Sequence, residues 1–220
     1  MDVNLVQTVA IYALPVLFAI TLHEAAHGYV ARHFGDMTAF AQGRISLNPL
    51  RHIDPIGTIV VPILILVASK LMGTSGLLFG WAKPVLVNYS ALKRPKQNML
   101  WVAAAGPVSN LVMAFGWALA FKLAEVLPES GYTKPLQLMG FAGIEVNLIL
   151  MLLNLLPILP LDGGRILASL LPGRMAWQYA KLEPWGFPIL LLLLFTNLLT
   201  VILGPMVKIS FGVIEAVFRL

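Results

Sequence analysis

Long apolar runs dominate the pattern of hydrophobic and polar positions along the chain. Three of them, Val3–Leu22, Gln97–Phe121 and Pro184–Val207, contain no Asp, Glu, Lys or Arg, and Pro135–Leu161 contains only Glu145. Because the hydrocarbon core of a bilayer is about 30 Å thick, a helix needs about 20 apolar residues to cross it. The pattern therefore predicts an all-α polytopic membrane protein with about four to six transmembrane helices. We expect residues 1–220 to form a single integral-membrane domain.

Turn signals between the runs predict where the helices begin and end. We expect helices at about Val3–Phe34, Asn98–Leu127, Leu136–Leu156 and Trp185–Leu203, with residues 205–220 forming a short interfacial helix. The apolar stretch Pro55–Ser69 is only 15 residues long and is interrupted by proline and glycine, so residues 55–80 are predicted to re-enter the membrane rather than cross it. The stretch Lys83–Asn88 is predicted to be a short β element near the active site.

Composition and charge narrow the class of protein. Only 11% of the residues are charged and 59% are hydrophobic, whereas a soluble domain carries about 25% charged residues. The net charge of +5 is not arranged as a basic stripe interleaved with aromatic residues, so we expect no nucleic-acid partner. The chain has no cysteine, which excludes disulfides and thiolate ligands and leaves histidine and carboxylate side chains to bind any metal.

The most specific motif is HEAAH, which comprises His23, Glu24 and His27 within the first apolar helix. Positions i and i+4 lie on one helix face, so both imidazoles can reach a single Zn²⁺ while Glu24 lies beside the metal as a catalytic base. The alternative is a pair of buried histidines that are satisfied by hydrogen bonds. We favour the metal because polar groups within a membrane helix are costly unless they are functional.

A catalytic zinc usually has three protein ligands, and Asp162 is the candidate for the third. This carboxylate follows Pro157 and Pro160, which break the preceding helix, and it comes before Gly163. Irregular backbone at membrane depth is tolerated only where it is buried in protein or lines a watery cavity. The residues alone leave open the alternative that Asp162 simply begins a loop after a membrane span.

The HEAAH motif together with NLLPILPLDGG resembles the site-2 protease family of intramembrane zinc metalloproteases, peptidase family M50. The resemblance covers roughly residues 10–200 and is to the small single-domain bacterial branch without PDZ or CBS modules. It implies one zinc per chain, with Asp162 as the third ligand, and a role for Asn154 in holding the substrate backbone. Residues that resemble the family's structural positions near the site are Gly106, Pro107, Asn110, Pro157, Pro160 and Gly163. Met37 and the Tyr89-Ser90 pair depart from the branch, away from the metal site.

The distribution of basic residues predicts an orientation. The HEAAH histidines and Asp162 lie at the C-terminal ends of their predicted helices, so these two helices must run parallel if all three residues bind one metal. With residues 55–80 re-entrant, ten of the fifteen Lys and Arg residues share the zinc-proximal face, which the positive-inside rule makes cytoplasmic. We therefore expect a protein of the bacterial cell (inner) membrane. The ten are Arg32, Arg44, Arg51, Lys83, Lys93, Arg94, Lys96, Arg165, Arg174 and Lys181.

These features predict an intramembrane zinc metalloendopeptidase that cleaves transmembrane protein or peptide substrates in or near their membrane segments. Such an enzyme would act in regulated intramembrane proteolysis or in clearance of membrane peptides, with no regulatory domain in the chain. A substrate must unwind to be cut, and Lys83, Val85 and Val87 are predicted to pair with it as a β-strand, with Asn154 as a clamp. Two alternatives are a non-enzymatic metal transporter, since transporters also place polar residues at broken helices, and an inactive protease-like binding protein.

Overall fold

The computed structural model describes residues 5–51, 54–61, 64, 83 and 85–220. These residues are mainly helical, and none of them lies in a β-strand. The α-helices are α1 (Leu5–His33), α2 (Thr38–Ala41), α3 (Pro95–Val126), α4 (Thr133–Asn154), α5 (Asp162–Leu170), α6 (Gly173–Ala180), α7 (Glu183–Phe195) and α8 (Leu198–Phe218). Short 3₁₀ turns at Pro49–Arg51 and Tyr89–Ala91 and a π-type turn at Pro55–Val60 complete the described helical elements.

Four of the described helices, α1, α3, α4 and α8, are long and apolar enough to cross a membrane. The predicted all-α architecture is therefore confirmed for the described part of the chain, which contains four candidate membrane-spanning helices. The predicted β element is not confirmed, because the described residues of the segment 83–88 form no strand. Most of the predicted re-entrant stretch, residues 65–80 in particular, lies outside the described residues.

The end of α1 is set by a glycine. Gly35 has a φ of 105°, in the left-handed region that favours glycine. Its N–H donates to Arg32 O at 3.0 Å, and the N–H of Asp36 donates to Ala31 O at 3.0 Å. This pair of hydrogen bonds is the Schellman motif, which satisfies the last carbonyls of a helix and turns the chain away from its axis. The HEAAH segment therefore lies within the last turns of α1.

Helices α3 and α4 pack closely because two glycines of α4 face bulky side chains of α3. A Cβ atom at Gly143 would lie 2.2 Å from Trp117 Cγ, and a Cβ atom at Gly140 would lie 2.8 Å from Phe121 Cβ. Small residues at such positions let membrane helices approach closely. Since the residue number falls along α3 as it rises along α4, the two helices are antiparallel.

Helix α1 lies against both α3 and α4. His27 contacts the carbonyl of Val102, and Asn110 contacts the carbonyl of Ala19, so α1 and α3 are also antiparallel. It follows that α1 and α4 run parallel. Their C-terminal ends, which carry the HEAAH motif and the chain leading to Asp162, are therefore at the same end of the bundle.

The C-terminal region differs from the prediction of one span at Trp185–Leu203. Helix α7 ends at Phe195, and α8 begins afresh at Leu198 after Asn197, whose φ of 60° is left-handed. Asparagine adopts this conformation more readily than most residues because its side chain can hydrogen-bond locally. The hydroxyl of Thr196 also donates to Leu192 O at 2.7 Å. The predicted separate short helix at 205–220 is thus wrong, since residues 205–218 continue the helix α8 that begins at Leu198.

Candidate metal centre

Three side chains from α1 and α5 converge at the end of the bundle. His23 Nε2 and His27 Nε2 are 3.1 Å apart, and Asp162 Oδ2 lies 3.2 Å from the first and 3.4 Å from the second. All three side chains are buried. Within the described residues, they form the cluster of His and carboxylate groups that could hold a metal ion.

The separations of these atoms fit a tetrahedral zinc ion. Ligand atoms at about 2.0–2.1 Å from a tetrahedral zinc are about 3.3–3.4 Å from each other, by geometry from the usual bond lengths. Asp162 Oδ2 is buried and has no hydrogen-bond partner among the described residues. A carboxylate oxygen in such a position is costly unless a cation or donor faces it, so the residues fit the metal.

Each histidine uses its other ring nitrogen for a hydrogen bond. His27 Nδ1 lies 2.7 Å from Val102 O, and because a carbonyl can only accept, Nδ1 must carry the proton. His23 Nδ1 lies 2.6 Å from Asn110 Oδ1. Metal-binding histidines commonly donate one ring N–H to a protein oxygen, which leaves the lone pair of the other nitrogen for the metal.

Gly106 of α3 provides the space in which the two imidazoles sit. A Cβ atom at this position would lie 2.4 Å from His27 Nε2 and 2.5 Å from His23 Cε1. The adjacent Pro107 is buried within α3. The absence of a side chain at Gly106 is therefore a requirement of the site, whereas the sequence predicted only that Gly106 lies near it.

The turn between α4 and α5 places Asp162 by folding tightly on itself. A Cβ atom at Gly163 would lie 2.2 Å from Leu155 O, and a Cβ atom at Gly164 would lie 2.6 Å from Leu159 N. Pro157 and Pro160 lie exposed on the outside of this turn. The hydroxyl of Tyr179 donates to the carbonyl of Pro157 at 2.9 Å, and burial raises the pKa of this tyrosine.

Glu24 lies on α1 between the two histidines and is half-buried. Its Oε2 accepts a 2.8 Å hydrogen bond from the backbone N–H of Val85, so the structure brings the segment 83–88 to the HEAAH motif. In that segment Lys83 is exposed, Val85 is buried and Val87 is half-buried against Ala31 and its neighbours. Asn154 is half-buried at the end of α4, where its amide donates to Leu150 O at 3.0 Å.

Two polar residues near the site were missed from the sequence. Asn147 is fully buried in α4 and contacts Asn110. Asp36, which directly follows Gly35, is fully buried and accepts from the backbone N–H of Asn88 at 2.6 Å. The position of Asn147 within an apolar run could have indicated a special role for this polar residue. Asp36 follows a helix-ending glycine, and its sequence position gives no such indication.

The bundle of apolar helices and its buried His, His and Asp cluster define a membrane metalloprotein. Residues 119–197 match the model of "Peptidase family M50". The chain is 40% identical over 201 residues to "Putative zinc metalloprotease YwhC" of Bacillus subtilis. These residues cover 89% of this chain and 84% of that protein. The chain therefore belongs to peptidase family M50 and is a membrane zinc metalloprotease.

More distant relatives carry a similar description. Rip2 of Mycolicibacterium smegmatis is 30% identical over 180 residues, which cover 82% of this chain and 64% of that protein. Rip2 of Mycobacterium tuberculosis (strain Erdman) is 28% identical over 172 residues, which cover 76% of this chain and 54% of that protein. Both are described as zinc metalloproteases in the same terms as YwhC. No solved structure matches the chain.

Proposed function

We propose that this protein is an intramembrane zinc metalloendopeptidase that hydrolyses peptide bonds in or near the transmembrane segments of membrane proteins. His23, His27 and Asp162 would hold one zinc ion, and Glu24 would act as the base. The observation that carries the proposal is the convergence of three ligand atoms within 3.1–3.4 Å of one another. Two of these atoms come from a helix long and apolar enough to cross a membrane.

Glu24 would move the proton during hydrolysis. Zinc, when bound, supplies a Lewis acid that polarises the scissile carbonyl and acidifies a water molecule. The carboxylate of Glu24 would accept the proton of the attacking water and deliver it to the leaving amine. Since the N–H of Val85 engages Oε2, we assign the proton transfer to Oε1.

The segment 83–88 would bind the unwound substrate. A helical substrate hides its carbonyls in hydrogen bonds of the i→i−4 type, so it must be extended before it can be cut. The N–H of Val85 is directed to Glu24 and the neighbouring Leu86 is exposed, so a peptide could add along this segment by β-pairing. Lys83, Val85 and Val87 would pair with the substrate, and Asn154 would hold its backbone.

We place the zinc site nearer the cytoplasmic face of the bacterial cell membrane, with residues 1–220 acting as one membrane domain. The support is the excess of Lys and Arg in the loops at the HEAAH end of the bundle, which the positive-inside rule assigns to the cytoplasm. A partner of this domain would be a transmembrane protein or peptide embedded in the same bilayer.

The decisive experiment compares cleavage of a model membrane peptide by the wild-type protein and Glu24→Gln in proteoliposomes. Glutamine keeps the shape of the side chain and removes the proton acceptor, so cleavage should fall by about 10² or more while zinc content stays unchanged. Glu129→Gln, at an exposed loop position, is the matched control and should cleave at the wild-type rate. Near-native cleavage by Glu24→Gln would refute the mechanism.

A further inference from the structure

Two asparagines are fully buried between the membrane helices behind the metal centre. Asn110 of α3 and Asn147 of α4 both have 0% exposure. An amide removed from water costs free energy unless its hydrogen bonds are replaced, and few partners exist within an apolar bundle. The contacts that these two amides make therefore carry information about their role.

The two amides form a chain of hydrogen bonds that begins at a main-chain carbonyl and ends at a histidine. Asn147 Nδ2 donates to Gly143 O at 2.8 Å. Asn110 Nδ2 donates to Asn147 Oδ1 at 3.0 Å and lies 3.4 Å from Ala19 O. Asn110 Oδ1 then faces His23 Nδ1 at 2.6 Å. This series of hydrogen bonds thus links α4 to α1 through α3.

The direction of every bond in this chain follows from its first member. The carbonyl of Gly143 can only accept, so Asn147 must present its NH₂ group there and its oxygen to Asn110. Asn110 must in turn use its NH₂ group toward Asn147 and present its oxygen to His23. An oxygen of this kind can only accept, so His23 carries its proton on Nδ1, and the lone pair of Nε2 faces Asp162 and His27.

We propose that Asn147 is a positioning residue for the metal centre, which acts through Asn110 to hold the His23 ring and its Nδ1-protonated tautomer. The inference rests on the proposed function to the extent that His23 is a zinc ligand. His27 is oriented by the main-chain carbonyl of Val102, which is independent of any side chain. The metal affinity contributed by His23 therefore depends on α4 being docked against α3.

The experiment measures the chelator concentration that removes half of the zinc from the full-length protein in detergent. Partners that orient a metal-binding histidine typically contribute about 10–100-fold to metal affinity, so Asn147→Leu should lower this concentration by about tenfold or more. Tyr12→Phe is the matched control. It removes another hydrogen bond between α1 and α4, from the Tyr12 hydroxyl to Glu145 at 2.8 Å, and should leave zinc retention unchanged.

A second variant separates positioning from packing. In Asn110→Asp, both carboxylate oxygens accept, so His23 Nδ1 keeps its acceptor whichever way the group is turned. Adding Asn147→Leu to Asn110→Asp should then change zinc retention by less than about threefold, well below the effect expected of an orienting partner. The same loss in both backgrounds, or no loss in the wild-type background, would overturn the proposal.

The tautomer of His23 can also be observed without changing the hydrogen bonds from Asn147 through Asn110 to His23. Histidine labelled with ¹⁵N in the ring, in a His33→Gln and His52→Gln background, should show Nδ1 protonated and Nε2 metal-bound for His23 in the zinc-loaded protein. Zinc bound through Nδ1 of His23 would exclude the proposed role of Asn147 and Asn110. Full zinc retention by His23→Ala would instead refute the ligand assignment of the proposed function, so the two failures are distinguishable.

Discussion

The backbone N–H of Val85 donates a 2.8 Å hydrogen bond to Glu24 Oε2. This bond holds the segment 83–88, which is distant in sequence, against the HEAAH helix. A second carboxylate holds the other end of this segment, since Asp36 Oδ2 accepts from the N–H of Asn88 at 2.6 Å. The other oxygen of Asp36 accepts from the N–H of Thr38 at 2.9 Å. The position of the segment relative to Glu24 is thus set by carboxylates at both of its ends.

Asp36→Asn should therefore impair cleavage of a membrane substrate without releasing zinc. The asparagine side chain keeps one acceptor oxygen for one of the two backbone N–H groups. The other N–H group would then face the NH₂ group of the asparagine, which cannot accept a hydrogen bond. Hydrogen bonds to charged groups contribute about 1.5–3 kcal/mol, so the catalytic efficiency should fall by about tenfold or more. The measurement is kcat/KM in proteoliposomes, together with zinc analysis.

Asp54→Asn is a matched control for this change. Asp54 also accepts from two backbone N–H groups, those of Ile56 and Gly57 at 2.9 and 2.8 Å, through its Oδ1 atom. Because this substitution leaves the bonds of Asp36 intact, its catalytic efficiency should stay close to that of the wild type. Unimpaired cleavage by Asp36→Asn would show that the segment is held by other contacts.

Asp162→Ala should lower the zinc content of the purified protein strongly. Two imidazoles remain, and a catalytic zinc site normally uses three protein ligands. Elemental analysis after dialysis against a weak chelator is the measurement, and Glu183→Ala, which removes an exposed carboxylate paired with Arg165, is the control. Full zinc occupancy in Asp162→Ala would remove this residue from the ligand set.

Gly106→Ala should disrupt the metal centre although alanine is the better helix former. The added Cβ would lie 2.4 Å from His27 Nε2, so the imidazoles must move, and both zinc retention and cleavage should fall by about tenfold or more. At Gly116, in the same helix, a Cβ would meet nothing within 4 Å. Gly116→Ala should therefore keep activity and gain up to about 1 kcal/mol of stability from helix propensity. Equal zinc retention in the two variants would argue against a packing role for Gly106.

Single cysteines at Ser46 and Ser90 should react with an impermeant maleimide from the same side of sealed vesicles. The prediction follows from the parallel arrangement of α1 and α4 and from the basic residues at the HEAAH end of the bundle. The chain has no native cysteine to interfere. Labelling from opposite sides would mean that the stretch 55–80 crosses the membrane completely.

Much of the architecture could be predicted from local patterns. The apolar runs placed α1, α3 and α4 to within a few residues, because membrane helices are specified by length and hydrophobicity alone. The break at Asn197 was missed, since an asparagine within an apolar run signals neither a turn nor a helix until its backbone conformation is known. The local sequence also placed His23 and His27 on one helix face, because their spacing matches the helical repeat.

Only the tertiary structure decided how these helices meet. The HEAAH spacing says nothing about which distant carboxylate approaches. Asp162 does so because α1 and α4 run parallel and because Gly163 and Gly164, at the start of α5, pack against the tight turn that follows α4. The link from Asn147 through Asn110 to His23 likewise depends on helix rotation, which is set by the close approach of α4 to α3 at its small residues. Periodicity along one chain specifies which residues share a face, whereas the pairing of faces is determined by the packing of side chains far apart in sequence.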